Sequence, residues 1–470
     1  MTVAECARVF DKLLVANRGE IAVRIIRAAK ELDLRTVAVY SDADKDSLAV
    51  RLADEAVHIG PSPAGKSYLS IEAIIAAARQ SGAGAVHPGY GFLSENPRFA
   101  DAVAAAGLVF VGPTAETIRM MGDKAAARSA AQAAGVPVVP GSEGEVADLD
   151  HALAAAGEIG FPVMLKASAG GGGRGIRVAR DEAGFEHQFH TAQAEAKAAF
   201  GSGALYLERF LHHARHLEVQ VLGDGEQVVH CFERECSLQR RRQKVWEEAP
   251  SAAIDDDTRA ALCASAVRLA KLGGYRGAGT LEYLYDEDSG EFFFIEMNTR
   301  IQVEHPITEM ITGIDLVREM IRIAQGEPLS LSQDDVQMRG ASIEVRINAE
   351  DPDKNFRPSP GKIGALALPG GPGVRVDTML YPGYVVPAYY DSLLAKIVVH
   401  AETRDLALAR LRRALDEFTI EGVVTTAALH KRLARLDEVQ AARFDTGFLE
   451  RLLAAPAPAA GQGNEGHTHA

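Results

Sequence analysis

The chain has 470 residues, 47% apolar and 24% charged, with 44 glycines and 20 prolines. That is length for about three domains, each able to bury a core, and it excludes intrinsic disorder. Lys and Arg number 50 against 64 Asp and Glu, a net charge of −14. Such an acidic balance argues against generic binding to nucleic acid or to anionic membranes, which needs a basic face. Four cysteines without regular spacing (Cys6, Cys231, Cys236, Cys263) read as reduced thiols rather than a disulfide scaffold. The first dozen residues carry charges and no apolar h-region, and no run reaches 18 apolar residues. Neither a signal peptide nor a membrane span is expected, and the location implied is the cytoplasm.

Over residues 12–16 (KLLVA) a buried strand is predicted, followed by a helix over 20–32 and a strand over 35–40. Strand pieces at 85–86 and 108–111 are separated by Ala-rich helical stretches, so residues 1–113 read as a doubly wound parallel α/β domain. Asn17-Arg18-Gly19 lies where the first strand meets its helix, the usual crevice of such sheets. A single helix is predicted over 116–134, another near 149–157, strands at 162–166 and 176–178, and a helix over 183–200. The region 138–206 therefore reads as a small α+β lid within a second domain, 114–334. Antiparallel strands are predicted at 217–221, 227–231, 279–285, 291–296, 341–349 and 395–399, with helices at 257–272, 313–326 and 404–418. Residues 335–448 form the third predicted domain, and 455–470 (APAPAAGQGNEGHTHA) a low-complexity, disordered tail.

Two glycine motifs imitate phosphate loops. Residues 60–67 (GPSPAGKS) match G-x-x-x-x-G-K-[ST], but Pro61 and Pro63 delete two of the backbone donors such a loop uses, and no Walker B strand follows. Gly170-x-Gly172-x-x-Gly175 matches the dinucleotide fingerprint, but a strand rather than a helix follows it. Five glycines between two strands suit a mobile cover that approaches phosphates closely, with Lys166 and Arg174 nearby for an anion.

The hairpin 278–286 against 291–298 carries the sharpest chemistry. If Asp286 pairs with Phe292, Glu282 stands opposite Glu296, an arrangement that repels unless a cation or proton sits between them. Asn298 shares the parity of Glu296, and two carboxylates with an amide oxygen suit Mg²⁺. Arg300, Gln302 and Glu304 continue that parity and share one side if the segment stays extended, and Arg346 stands among the polar positions of strand 341–349. The basic run 239–244 (QRRRQK) lacks interleaved aromatics and reads as a pocket for a small anion. His212, His213 and His216 lack the further regular ligands of a zinc site.

The segments VANRGEIAVRIIRA (15–28), HPGYGFLSEN (87–96), MGDKAAAR (121–128), PVMLKASAGGGGRG (162–175), RRRQKVWEEAP (240–250), YRGAGTLEY (275–283), FIEMNTRIQVEHPITEMITGIDLV (294–317) and EVRINAEDP (344–352) closely resemble biotin carboxylase. That family is the ATP-grasp component of biotin-dependent carboxylases, and the resemblance runs from about residue 12 to 448. It implies an ATP-grasp fold with a doubly wound N-terminal domain, a mobile lid and a C-terminal antiparallel-sheet domain. It implies that Lys124 and Lys166 hold ATP phosphates under a lid containing Gly172 and Gly173. Glu208, Arg209, Phe210 and Leu211 match the adenine hinge, and His216 and Arg242 fall at nucleotide contacts. The resemblance further implies that Glu282, Glu296 and Asn298 would hold Mg²⁺ or Mn²⁺. It implies that Lys244, Arg300 and the Val303 backbone would bind bicarbonate, with Glu304 as its general base, Arg346 stabilising the biotin enolate and Tyr90 lining the biotin pocket. Attack of bicarbonate on the γ-phosphate gives carboxyphosphate, and the phosphate released with CO₂ deprotonates biotin. Arg242 replaces the family's usual His, and His212-His-Ala-Arg215 replaces a more usual Asn-Pro turn. No Met is followed by Lys, so no biotin attachment sequence is present. The implied partners are a biotin carboxyl carrier protein, carboxyltransferase subunits and a second copy of the chain. Acetyl-CoA is the acceptor expected first, with propionyl-CoA, methylcrotonyl-CoA, pyruvate and urea as alternatives. Another ATP-grasp ligase, or a catalytically silent nucleotide-binding subunit, are the competing readings.

Overall fold

The computed structural model describes residues 9–142, 144–146, 148–167 and 176–454. Gly172, Gly173 and the tail 455–470 lie outside the described residues. The first unit is a parallel sheet of β1 (Lys12–Val15), β2 (Arg35–Ser41), β3 (Glu55–Gly60), β4 (Ala85–His87) and β5 (Val109–Phe110), in the order β3-β2-β1-β4-β5. All four residues of β1 are buried, as a central parallel strand covered on both faces requires. The helix Gly19–Glu31 follows β1 directly and buries Ile21, Val23, Ile25 and Ile26. Between them, Asn17 Nδ2 donates to the Pro88 and Tyr90 carbonyls at 2.7 Å each, which fixes the crevice at the end of the sheet.

Residues 60–67 form no phosphate loop. The Lys66 and Ser67 N–H groups donate to the Pro63 and Ala64 carbonyls within the turn, and Lys66 is exposed. The helix predicted over 116–134 is two helices, Ala115–Gly122 and Lys124–Ala133. Asp123 interrupts it by capping the second, its side chain accepting from the Ala126 N–H. Lys124 thereby opens a helix at the cavity described below.

A three-stranded antiparallel sheet, β7-β6-β8, comprises β6 (Val163–Ala167), β7 (Ile176–Ala179) and β8 (Leu205–Arg209). The largest sheet has eight antiparallel strands: β13 (Glu291–Asn298), β12 (Arg276–Asp286), β9 (Ala214–Asp224), β10 (Val228–Arg240), β11 (Gln243–Ala249), β14 (Ala341–Asn348), then Leu393–Ala401 and Val374–Thr378. It runs unbroken through the boundary expected near residue 334, because β11 pairs with β14. Helix Asp256–Leu272 packs Leu262, Cys263, Ala266 and Leu269 against one part, and helix Arg404–Glu417 packs Leu408, Leu411 and Leu415 against another. Cys231, Cys236 and Cys263 are buried free thiols. Among the described residues no helix is long and apolar enough to cross a membrane.

Candidate functional site

Strands β10, β9, β12 and β13 carry a row of charges across the sheet. Their registers pair Arg234 with Glu218, Glu218 with Glu282, and Glu282 with Glu296. The predicted opposition of Glu282 and Glu296 is present, but it is reached differently. The turn sets Asp286 opposite Glu291, one residue off the predicted partner Phe292. Asp286 accepts from the Gly290 N–H, and Gly290 takes a φ of 72°, the close turn that fixes this pairing. A bulge at Ile295 then restores the alignment of the two acids.

Three carboxylates abreast repel one another unless cations intervene. Arg234, wholly buried, donates from Nε to Glu218 Oε1 at 2.6 Å and from its Nη atoms to Gln220, Thr308 and Thr280. Lys244 Nζ donates to Glu218, to Glu282 at 2.9 Å and to Glu304 at 2.7 Å. His216 Nε2 lies 3.1 Å from Glu282. Burial alone would raise the Glu282 pKa; Lys244 and His216 outweigh it and hold the carboxyl well below its usual range. Glu296 is different. It makes no hydrogen bond or ion pair with any described residue, and burial together with the Glu282 charge pushes its pKa up. An acid facing a cavity beside a second carboxylate, on which Lys124 and His216 act only without direct bonds and less than burial and Glu282 do, fits a divalent ion. Asn298 donates its amide to Glu282 at 2.9 Å and accepts from Arg300 at 2.8 Å, which leaves its oxygen one lone pair.

The closest ligand groupings among the described residues are His216–Glu218–Glu282 and Glu218–Cys236–Glu304. Lys244 bonds Glu218, Glu282 and Glu304 across both, and burial pushes the Cys236 thiol well up, so an ammonium rather than a soft metal serves these acids. His213 pairs with Asp288 at 3.0 Å.

Beyond Asn298 the chain does not stay extended, so the condition for a shared side by parity is not met. It turns, and Glu304 becomes the residue that opens helix His305–Thr312, whose Pro306 favours a first helical turn there. The even-numbered side chains converge all the same. Arg300 donates to Asn298, Gln302 and Glu95, each at 2.8 Å, and Gln302 donates to Glu282 at 3.2 Å. Glu304, fully buried, accepts from Lys244 on Oε1 and from Arg346 Nη2 on Oε2 at 2.9 Å. Burial would raise its pKa, but Lys244 and Arg346 overrule it and keep the carboxylate ionised far below its usual range. Arg346 also donates from Nε to Glu247 at 2.6 Å.

These groups line or lie directly behind one cavity of about 1900 Å³, whose wall includes Tyr90, Lys124, Lys166, Glu208, Arg209, Phe210, Leu211, His216, Arg242, Lys244, Glu282, Glu296, Asn298, Arg300, Val303 and Arg346. Lys166 is ion-paired with Glu208 from the neighbouring strand, and Tyr90 donates its hydroxyl to Glu20. Arg242 stands in the two-residue turn between β10 and β11, where it and Arg241 take φ of 66° and 48°. A turn of that kind prefers Asn-Gly, so the chain spends conformational energy to place Arg242 on the cavity wall. Glu218, Glu247, Glu20 and Lys396 escaped the sequence reading. Glu218 alternates with apolar neighbours on its strand (HLEVQV), a polar-inward pattern that marks it once both sheet faces are known to be buried, whereas Glu247 is followed by Glu248 and carries no such signal.

A family model described as "Biotin carboxylase, N-terminal domain" matches residues 9–118, "Carbamoyl-phosphate synthase L chain, ATP binding domain" matches 123–332, and "Biotin carboxylase C-terminal domain" matches 344–451. The chain is 56% identical over 427 residues to the biotin carboxylase of Pseudomonas aeruginosa, covering 90% of this chain and 94% of that one. Among solved structures it resembles the biotin carboxylase–β,γ-ATP complex from Campylobacter jejuni, with a TM-score of 0.87, 47% identity and coverage of 94% and 99%. It also resembles the biotin carboxylase domain dimer of Hydrogenobacter thermophilus 2-oxoglutarate carboxylase, solved with MgADP, ADP and bicarbonate, with a TM-score of 0.86, 47% identity and coverage of 96% and 99%.

Proposed function

Because this chain belongs to the biotin carboxylase family and is an ATP-dependent ligase, we propose that its cavity carboxylates biotin borne on a separate carrier protein, using ATP and bicarbonate. The observation that carries this reading is the join between two half-sites. The acid row Glu218–Glu282–Glu296, suited to a metal–nucleotide complex, shares Lys244 with Glu304, the base beside Arg346.

Lys124 opens its helix toward the cavity and would meet phosphate, with Lys166 reaching it once released from Glu208. Glu282, Glu296 and Asn298 would hold a divalent cation, which when bound neutralises charge on the phosphoryl group being transferred. Lys244, Arg300 and the Val303 backbone would receive bicarbonate. A small anion there draws Lys244 and Arg346 away from Glu304, and with two cations shared its carboxylate becomes a stronger base toward the bicarbonate proton. Bicarbonate oxygen then attacks the γ-phosphorus as ADP leaves, and carboxyphosphate breaks to CO₂ and phosphate. Arg346, permanently charged, faces the developing oxygen anion of biotin beside Tyr90.

Acetyl-CoA is the proposed final acceptor, chosen by a carboxyltransferase partner, and the proposed assembly is a homodimer served by a biotin carrier. The test is ADP release from ATP with Mg²⁺ and free biotin, with and without bicarbonate. Dependence on bicarbonate supports the reading; release that requires ammonia or an amino acid instead favours another ATP-grasp ligase and contradicts it.

A further inference from the structure

Lys396 is the most deeply buried lysine beside this site, with no exposed surface at all. It stands on strand Leu393–Ala401 opposite Arg346 of β14, on the sheet face away from the apolar core of Ala395, Ile397 and Val399, and an ammonium buried there is costly unless acids answer it. Burial would strip its proton, but Glu20, Glu344 and Asp377 around it outweigh that effect and keep it charged. Its contacts are 3.0 Å to Glu20 Oε1, 3.8 Å to Asp377 Oδ2, and 2.9 Å to the backbone carbonyl of Val303.

The last contact is the unusual one. The Val303 carbonyl belongs to the peptide that leads into Glu304, and the turn there is loosely tied by its own backbone. His305 N–H reaches the Gln302 carbonyl at 3.5 Å and Ile307 N–H reaches Glu304 at 3.3 Å; the His305 ring Nδ1 meets the Gln302 carbonyl at 2.7 Å, and on the next carbonyl, that of Val303, the short bond comes from Lys396. A charged donor at that distance is about twice as strong as a neutral one. Glu20 Oε1 also accepts from the Tyr90 hydroxyl, and so holds the ammonium beside the carbonyl. Three parts of the fold therefore meet on one nitrogen: the helix Gly19–Glu31, the turn before Glu304 and the C-terminal strand.

We propose that Lys396 is a positioning residue for the reaction: by clamping the Val303–Glu304 peptide it sets where the base and the bicarbonate-binding backbone stand. It touches no reacting atom, and the nucleotide half of the cavity does not depend on it. The proposal rests on the carboxylase reading above.

The test compares wild type with Lys396→Met, Lys396→Arg and the double variant Lys396→Met with Glu20→Gln, measuring kcat, KM for ATP, KM for bicarbonate and melting temperature. Lys396→Met should lower bicarbonate-dependent ADP release about 100-fold, the cost of misplacing a reacting group by about 1 Å, with KM for ATP within about twofold. Lys396→Arg, which keeps a charged donor, should recover most of the rate. Removing the nearest acid together with the ammonium in the double variant recovers part of the lost stability, Asp377 keeping its own partner Arg375. The rate loss should persist in it. A double variant that regains the rate along with its stability overturns the clamp, as does a Lys396→Met protein in which ATP and bicarbonate parameters fall together. Wild type without bicarbonate dependence overturns the functional reading and the clamp with it.

Discussion

Glu247 gives a stability prediction whose size follows from its surroundings. It lies buried on β11 directly opposite Glu344 of β14, with one oxygen on Arg346 and the other without a partner. Burial, against the pull of Arg346, raises its pKa from 4.5 to about 7. A raised carboxyl leaves no penalty below pH 4.5, where folded and unfolded chains are both protonated. Between 4.5 and 7 the unfolded chain alone releases the proton, so stability falls as pH rises, by about 3 kcal/mol in full. About 2 kcal/mol of that falls between about pH 5.5 and pH 8. Glu247→Gln keeps an oxygen for Arg346 and removes the titration. Urea unfolding of both proteins at those two pH values should therefore show the variant gaining about 2 kcal/mol on wild type at the higher pH. An equal gap at both pH values would refute the assignment of Glu247 as a neutral-range acid.

Glu296→Gln should raise the Mg²⁺ concentration for half-maximal ATP turnover by about 10- to 100-fold, the usual cost of weakening a metal's surroundings, without lowering the melting temperature, since Glu296 bonds to no described residue. An unchanged Mg²⁺ titration counts against the hairpin site. Arg346→Ala should cut biotin carboxylation by about 100- to 1000-fold, as loss of an oxyanion donor does, while nucleotide affinity measured by equilibrium titration stays the same. Carboxylation at the wild-type rate would remove Arg346 from the reaction.

The parallel sheet was legible because its strands are short apolar runs separated by amphipathic helices, as in KLLVA and RTVAVY. The central antiparallel strands were less so. β10 was expected to end at residue 231, yet it continues to Arg240 through Glu233, Arg234, Glu235, Ser237 and Gln239, all buried. A run of polar residues reads as a loop unless one knows that its charges are answered by Arg215 and Glu218 on β9, Thr280 on β12, Arg259 on helix Asp256–Leu272 and Thr308 on the helix that Glu304 opens. The acid pair 282/296 was legible from parity, but its true register needed the turn at Gly290 and the bulge at Ile295, which alternation alone does not encode. Long-range partners such as Lys396 with Val303, 93 residues apart, leave no local pattern.

The central claim is that two opposed side chains, 282 and 296, grip the ion that accompanies a nucleotide next to a bicarbonate pocket. A crystal grown with ADP, bicarbonate and Mn²⁺, and measured for anomalous scattering, tests it most directly. The account predicts a manganese peak bridging those two carboxylates and the diphosphate; a peak elsewhere, with Glu282 still bound to Lys244 and Glu296 facing solvent, would contradict it.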